Sequence, residues 1–251
     1  MNILVCVKRV PATGGRIDLT ADGQSIDTRH LGFTISPHEE CAVEEALQLV
    51  EKHGGSTTVL TLGPAAAEEQ LRDAMAMGID RAHLLAIDEG DWDAGATASA
   101  IVAAVRSAHP AYDLLLFGNE SADSGGYQVG IRVAYALALP CVTGVKALEI
   151  AGNKATGKRE IPGGWELFEV DLPAVFTVKE GINLPRYPSL PGRLKARKKS
   201  VDRSQPTFTG NRLEKVRLRL PPSQTGQVEI LGSGADAAAK AVAIFRKLGV
   251  L

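Results

Sequence analysis

Residues 117–130 read FGNESADSGGYQVG. They follow the apolar run Leu114-Leu115-Leu116 and precede Ile131, Ala134, Tyr135 and Ala138, which recur at helical spacing. A buried strand that leaves through small polar residues and then turns straight into a helix is the repeating step of a parallel α/β sheet. Nucleotides bind at the carboxyl ends of such strands, where loops run into helix N-termini. Free backbone amides and the helix dipole favour a phosphate there. Gly125 and Gly126 let the backbone approach a ligand closely, and Ser121 and Ser124 add hydroxyl donors.

The same step recurs upstream. Ile3–Val7 reads as a first strand. Ser36-Pro37-His38-Glu39 is a capping box with proline at the first helical position, and Val43, Ala46, Leu47 and Val50 give that helix an apolar stripe. Thr57–Leu62 is a second strand; Gly63-Pro64 opens a helix that runs to Gly78. Arg81–Ile87 is a third strand, followed by a helix marked by Ala98, Ile101, Val102 and Val105. Tyr112–Phe117 is the fourth strand, and its helix ends near Leu139-Pro140. Between the first strand and the first helix lies a polar excursion with a turn at Asp22-Gly23.

After Pro140 the pattern changes. Val142–Ile150, Ala155–Ile161 and Trp165–Val170 read as strands joined by the turn signals Gly152-Asn153 and Pro162-Gly163-Gly164, with a short strand at Ala174–Val178. The fold class is therefore α/β: a Rossmann-like parallel sheet of the adenine-nucleotide-binding type, with an antiparallel edge extension. From Gly181 the chain becomes irregular, and Pro185, Pro188 and Pro191 predict no helix before Gly192. A basic run follows, with positive residues outnumbering negative by ten to two from Arg193 to Arg219. A strand-like Val228–Leu231 and a helix over about 235–248 close a C-terminal arm. Gly232-Ser233-Gly234 imitates a dinucleotide fingerprint, but no βαβ unit follows it, so it reads as a helix start. The expected organisation is an α/β nucleotide-binding domain over 1–180, a recognition and basic segment over 181–200, and an arm and helix over 201–251.

Composition excludes several function classes. The 251 residues carry a net charge of −1, which gives no argument for nucleic acid. No apolar run reaches membrane-spanning length, so the chain is not expected to be an integral membrane protein. The N-terminus MNILVCVKRV is an immediate strand rather than a leader, which predicts a soluble bacterial cytoplasmic protein. Cys6, Cys41 and Cys141 are scattered, and the five histidines show no metal-ligand spacing. The motifs of serine hydrolases, P-loop enzymes and kinases are absent. The residues alone leave two readings of the three strand-end loops open: ordinary caps and turns, or a cradle that holds a nucleotide mainly by backbone groups.

A family resemblance adds to this. ILVCVKRVP, SPHEECAVEEAL, TLGP, AMGIDRA, LLLFGNESAD and above all KREIPGGWELFEVDLPAVFTV followed by INLPRYPSLPGRLKARKK resemble the beta subunit of electron-transfer flavoproteins, in order and through nearly the whole chain. The resemblance implies a heterodimer and an electron carrier, not an enzyme by itself. The alpha subunit would hold the redox FAD, and the beta subunit would support it and bury a structural AMP. Single electrons would arrive from flavin-containing dehydrogenases and pass onward, often to a quinone oxidoreductase. The AMP contacts of the family map to Cys6, to Ser36, Pro37, His38 and Glu39, to Leu62, and to the stretch Gly118, Asn119, Glu120, Ser121, Ala122, Asp123, Ser124, Gly125, Gly126, Tyr127, Gln128 and Val129. The partner-recognition loop maps to Pro185, Arg186, Tyr187, Leu190 and Pro191, with Leu190 as the anchor. Glu160 matches a carboxylate that contacts the mobile FAD-bearing domain of alpha.

There are departures from the family pattern. Bifurcating relatives bind a second FAD in this site and show Asp-Thr before Gln-Val-Gly, where this chain has Gly125-Gly126-Tyr127. Pro11-Ala12-Thr13 lacks the aromatic that some relatives place near the flavin. Two alternatives stand beside the carrier subunit: a bifurcating subunit that binds a second FAD and oxidises NADH, and a stand-alone adenine-nucleotide sensor.

Overall fold

The structure is a computed structural model, and it describes residues 1–12, 14, 16–88, 90–222 and 229–251. In chain order the elements are β1 (Asn2–Cys6), β2 (Val10–Pro11), β3 (Phe33–Thr34), α1 (Pro37–His53), β4 (Ser56–Gly63), a 3-10 turn (Ala65–Ala67), α2 (Glu68–Met77), β5 (Arg81–Ala86), α3 (Ala94–Ser107), β6 (Leu114–Gly118), α4 (Val129–Leu137), β7 (Cys141–Ala151), β8 (Lys154–Ile161), β9 (Gly164–Asp171), β10 (Ala174–Val178), α5 (Leu190–Lys198), β11 (Asp202–Ser204) and α6 (Asp236–Lys247). They fall into two compact units, Met1–Arg217 and Leu218–Leu251.

The first unit is built on a sheet of order β11-β5-β4-β1-β6-β10-β7-β8-β9. All pairs from β11 to β7 are parallel, and β7-β8-β9 is an antiparallel meander, so the expected α/β class and edge extension are observed. The central strands are buried on both faces. Ile3 and Val5 of β1, with Leu114 and Leu116 of β6, belong to the layer under α1 and α2. Leu4, Cys6, Leu115 and Phe117 belong to the layer under α3 and α4. This explains why these strands read as unbroken apolar runs rather than alternating ones. Each of the leucine, isoleucine, valine and phenylalanine side chains among them contributes roughly 1.5–3 kcal/mol on burial.

Four features differ from the sequence reading. The strand Ala174–Val178 does not extend the edge in chain order. As β10 it inserts between β6 and β7, parallel to both, and every one of its residues is buried. The prolines do not postpone helix α5 to Gly192. It starts at Leu190, because the Ser189 hydroxyl caps it by accepting the Gly192 amide at 3.1 Å and Pro191 sits in the first turn, where no amide donor is needed. Asp202–Ser204, an exposed stretch without an apolar signal, pairs with β5 as the opposite edge of the sheet. Of the strand expected at the head of the arm, Val228 lies outside the described residues, as does Thr13; Glu229–Leu231 is not a strand.

The segment from 181 to 217 folds with the first unit. Helix α5 rests on α2: Ala196 is buried, the Arg72 guanidinium donates to its carbonyl at 2.8 Å, and a Cβ on Gly192 would lie 2.4 Å from the Ala76 carbonyl oxygen. Farther on, Phe208 packs on Trp92, and the Asp93 carboxylate that caps α3 also accepts the amides of Arg212 and Leu213. In the second unit α6 is amphipathic in sequence, and none of its residues is buried. Among the described residues no helix is long and apolar enough to cross a membrane.

Candidate functional site

Parallel pairing puts the carboxyl ends of β4, β1, β6 and β10 on one rim. Cys6, the last residue of β1, lies in register with Leu60 and Phe117. Three loops separated in sequence meet above it. The first is the start of α1. The Ser36 hydroxyl oxygen accepts the Glu39 amide at 3.3 Å, and Glu39 Oε2 accepts the Ser36 amide at 2.8 Å, so the expected capping box is complete. The second is the segment after β1: the Lys8 amide donates to Glu39 Oε1 at 2.9 Å. The third is the loop from β6 to α4. Its Glu120 carbonyl accepts the Ser36 hydroxyl at 3.1 Å, and its Glu120 carboxylate stands 3.3 Å from His38 Nε2. His38 Nδ1 accepts the Glu180 amide at 2.7 Å, which leaves the ring proton on Nε2, facing Glu120.

The close approach of β6 to α1 depends on Gly118. A Cβ there would lie 2.6 Å from Glu39 Cγ and 3.3 Å from His38 Cβ. Beyond it, Asn119 is fixed from below, its amide donating to the Val178 carbonyl at 2.8 Å and its Oδ1 accepting the Thr177 hydroxyl at 3.0 Å. The Ser121 and Ser124 hydroxyls lie 2.9 Å apart, and the Gly125 amide donates to the Ser121 carbonyl, so Ser121–Gly125 forms a turn. Gly125 and Tyr127 both have positive φ, and no atom lies within 4 Å of a Cβ built on Gly126. Gln128 accepts from Arg132 on α4.

The residues expected at the site therefore divide into two sets. Cys6, Ser36 and Glu39 are buried and form a floor. Burial, with the Glu39 charge beside it, pushes the Cys6 thiol far up, so it is inert as a nucleophile. Burial also pushes the Glu39 carboxyl up to about 8, against the two backbone amides that favour its ionised form. Pro37, Ala122, Asp123, Ser124, Gly125, Gly126, Tyr127 and Gln128 are exposed. His38, Leu62, Gly118, Asn119, Glu120, Ser121 and Val129 lie between.

One residue was missed by the sequence reading. The Lys8 ammonium pairs with the Asp123 carboxylate at 2.6 Å, bridging 115 residues of chain. Burial raises the Asp123 carboxyl, but the bond and charge of Lys8 outweigh it and hold the group below its usual range. The KRV that follows β1 carried the only sequence signal for this cation.

The donors suit a phosphate group. The first-turn amides of α4 have no acceptor within their own helix. The Ser121 and Ser124 hydroxyls stand on the β6–α4 loop, Lys8 reaches that loop from the segment after β1 through Asp123, and no atom lies within 4 Å of a Cβ on Gly126.

The expected recognition residues lie on the α1 side of the sheet. Arg186 forks onto Glu44, with Nε at 2.8 Å and Nη2 at 3.0 Å, and onto Glu51, with Nη1 at 2.6 Å. Asn183 Nδ2 donates to the Cys41 carbonyl and to Glu45. Pro185 is half-buried and Pro191 exposed, whereas Tyr187 and Leu190 stand out at 96% and 72% exposure. Glu160, at the end of β8, pairs with Lys146 at 2.7 Å; its neighbour Arg159 turns instead to Glu166 and the ring of Phe168. Among the described residues no group of three or more His, Cys, Asp or Glu is placed to hold a metal ion.

Comparisons with known proteins place the chain in a family. The electron transfer flavoprotein domain matches residues 25–208. The electron transfer flavoprotein subunit beta of Bacillus subtilis is 34% identical over 98% of this chain and 98% of its own length. That of Syntrophomonas wolfei is 38% identical over 92% of this chain and 90% of its own. That of Mycobacterium tuberculosis strain H37Rv is 39% identical over 80% and 77%.

Proposed function

The chain belongs to the electron transfer flavoprotein family, as a relative of its beta subunits and hence an electron carrier rather than an enzyme, and on that premise we propose that it binds AMP at the sheet rim and pairs with an alpha subunit. The observation that carries the nucleotide reading is the junction of three distant segments at the rim through Glu39 and Glu120. The chain then builds a rigid floor, offers amides and hydroxyls to the phosphate, and closes the loop with Lys8. FAD, held chiefly by the alpha subunit, supplies the one-electron chemistry when bound. This chain's part is to hold that subunit and to select donors. Leu190 and Tyr187, exposed beside a segment clamped by Arg186, form the docking surface for flavin-containing dehydrogenases. A fixed apolar side chain loses little freedom on docking. Glu160 meets the alpha subunit. A quinone oxidoreductase is one downstream acceptor, and the bacterial sources of the relatives support a cytoplasmic placement.

Mass spectrometry of the nucleotide released from the complex co-expressed with its alpha partner tests the reading. AMP in about equal amount with this chain is the expected result. A second FAD would replace it with the bifurcating alternative, and no adenylate at all would overturn the site.

A further inference from the structure

The β6–α4 loop carries two carboxylates, Glu120 and Asp123, and no lysine or arginine of its own. An anion site of that composition is self-defeating unless a cation comes from elsewhere, and the fold brings one. Lys8 is held at both ends: its amide is tied to Glu39 under the start of α1, and its ammonium reaches Asp123. An ammonium has three donors, and the Lys8 side chain is about half exposed, at 47%. Asp123 thus takes part of its hydrogen-bonding capacity and leaves the rest open on a half-exposed ammonium beside the β6–α4 loop.

We infer that Lys8 is the cation that receives the phosphate of the adenylate, and that Asp123 caps the negative charge the site accepts, so that it takes a monophosphate in preference to a di- or triphosphate. This rests on the adenylate reading above. The charges carry the argument. One phosphate faces one ammonium, already shared with one carboxylate. Each further phosphate adds negative charge beside Asp123 and Glu120, and the loop supplies no further cation. Like charges in a partly desolvated cleft repel far more strongly than in water. Selection against longer phosphate chains then comes from repulsion as much as from contact.

The two members of the pair should therefore act in opposite directions, which no purely structural ion pair does. The test uses the full chain purified with its alpha partner. Bound AMP is chased with isotopically labelled AMP, and exchange is followed by mass spectrometry. Lys8→Met is expected to speed exchange about tenfold, a loss in the range of one charge-assisted contact. Lys8→Arg, which keeps the charge, should stay within about threefold of wild type. Asp123→Asn should slow AMP exchange and raise the competitiveness of ADP against AMP by about tenfold. If Lys8→Met and Asp123→Asn both speed exchange by similar factors with the ADP-to-AMP preference unchanged, the pair is a staple and the inference fails alone. If the wild-type complex carries no adenylate, the inference and the adenylate reading fail together. Should Lys8→Met not assemble, the sign of the Asp123→Asn effect decides.

Discussion

Arg186 gives the sharpest test of how the docking segment is held. Its guanidinium meets Glu44 at 2.8 and 3.0 Å, and the Glu44 side chain is only 4% exposed. Glu44 also accepts the Arg186 amide at 3.1 Å and Gln48 at 2.9 Å, so it is a satisfied carboxylate only while the arginine is present. Arg186→Met removes the neutralising charge and leaves the carboxylate inside. Breaking a buried pair from one side costs about 3–5 kcal/mol. Here the arginine is about one-third exposed and water can enter behind it, so the expected cost is about 2–3 kcal/mol. Urea unfolding followed by circular dichroism measures it. Glu44→Gln added to Arg186→Met should return about 1 kcal/mol or more, because the stranded charge is gone.

The pH dependence has a definite sign. Burial raises the Glu44 carboxyl, but the bonds and charge of Arg186 outweigh burial and hold it below its usual range. The native state therefore binds fewer protons there than the unfolded chain near and below the ordinary carboxylate pKa. That stabilisation is present above this range and is lost as pH falls through it. The gap between wild type and Arg186→Met should thus be widest near pH 7 and should shrink toward pH 4. A variant within about 0.5 kcal/mol of wild type at pH 7 would refute the reasoning, since surface ion pairs alone have that worth.

Leu190→Ala should leave unfolding stability within about 0.5 kcal/mol, as the side chain is 72% exposed, yet slow flavin reduction by the dehydrogenase donor by roughly five- to thirtyfold from lost apolar burial; unchanged stopped-flow rates would remove the docking role. The Glu39 carboxyl sits up at about 8, so the native chain holds a proton there that the unfolded chain has released, and stability should fall as pH rises from about 5 to 8. Glu39→Gln should flatten that slope in thermal unfolding at several pH values, and a slope equal to wild type would show that Glu39 does not titrate in this range.

The parallel core was legible because β1 and β6 bury both faces, so their apolar runs and the helical stripes between them carry the topology. The capping box at Ser36 was legible for a local reason: all its partners lie within one turn. What escaped was non-local or unmarked. The place of β10 in the sheet is a matter of strand order; its AVFTV, apolar but for Thr177, lacks the alternation of β9, a sign of an interior strand that the edge reading passed over. β11 is three exposed residues with no pattern to read. A proline blocks a helix only where its missing amide and ring fall beyond the first turn, and Pro191 falls within the first turn of α5. The bond of Lys8 to Asp123 spans most of the parallel half of the sheet, and no spacing rule reaches that far.

Helix α1 joins the two proposed activities. Its first turn holds the rim through Ser36, His38 and Glu39, and its body holds the segment after β10. The Glu180 amide is fastened to His38, Asn183 to Cys41 and Glu45, and Arg186 to Glu44 and Glu51, so the segment is threaded along the helix toward its C-terminus. The glutamates of SPHEECAVEEALQLVEK thus have separate duties, although in sequence they resemble an ordinary solvated face. Glu39 is turned into the floor of the rim; Glu44 and Glu45 are buried under the segment after β10. The start of α1 and the clamp on Arg186 thus belong to one helix, whereas Leu190 itself opens α5, which rests on α2. The proposed nucleotide floor and the clamp on the segment that leads to Leu190 are therefore built from one helix, the first by its N-terminal turn and the second by its body and C-terminal half.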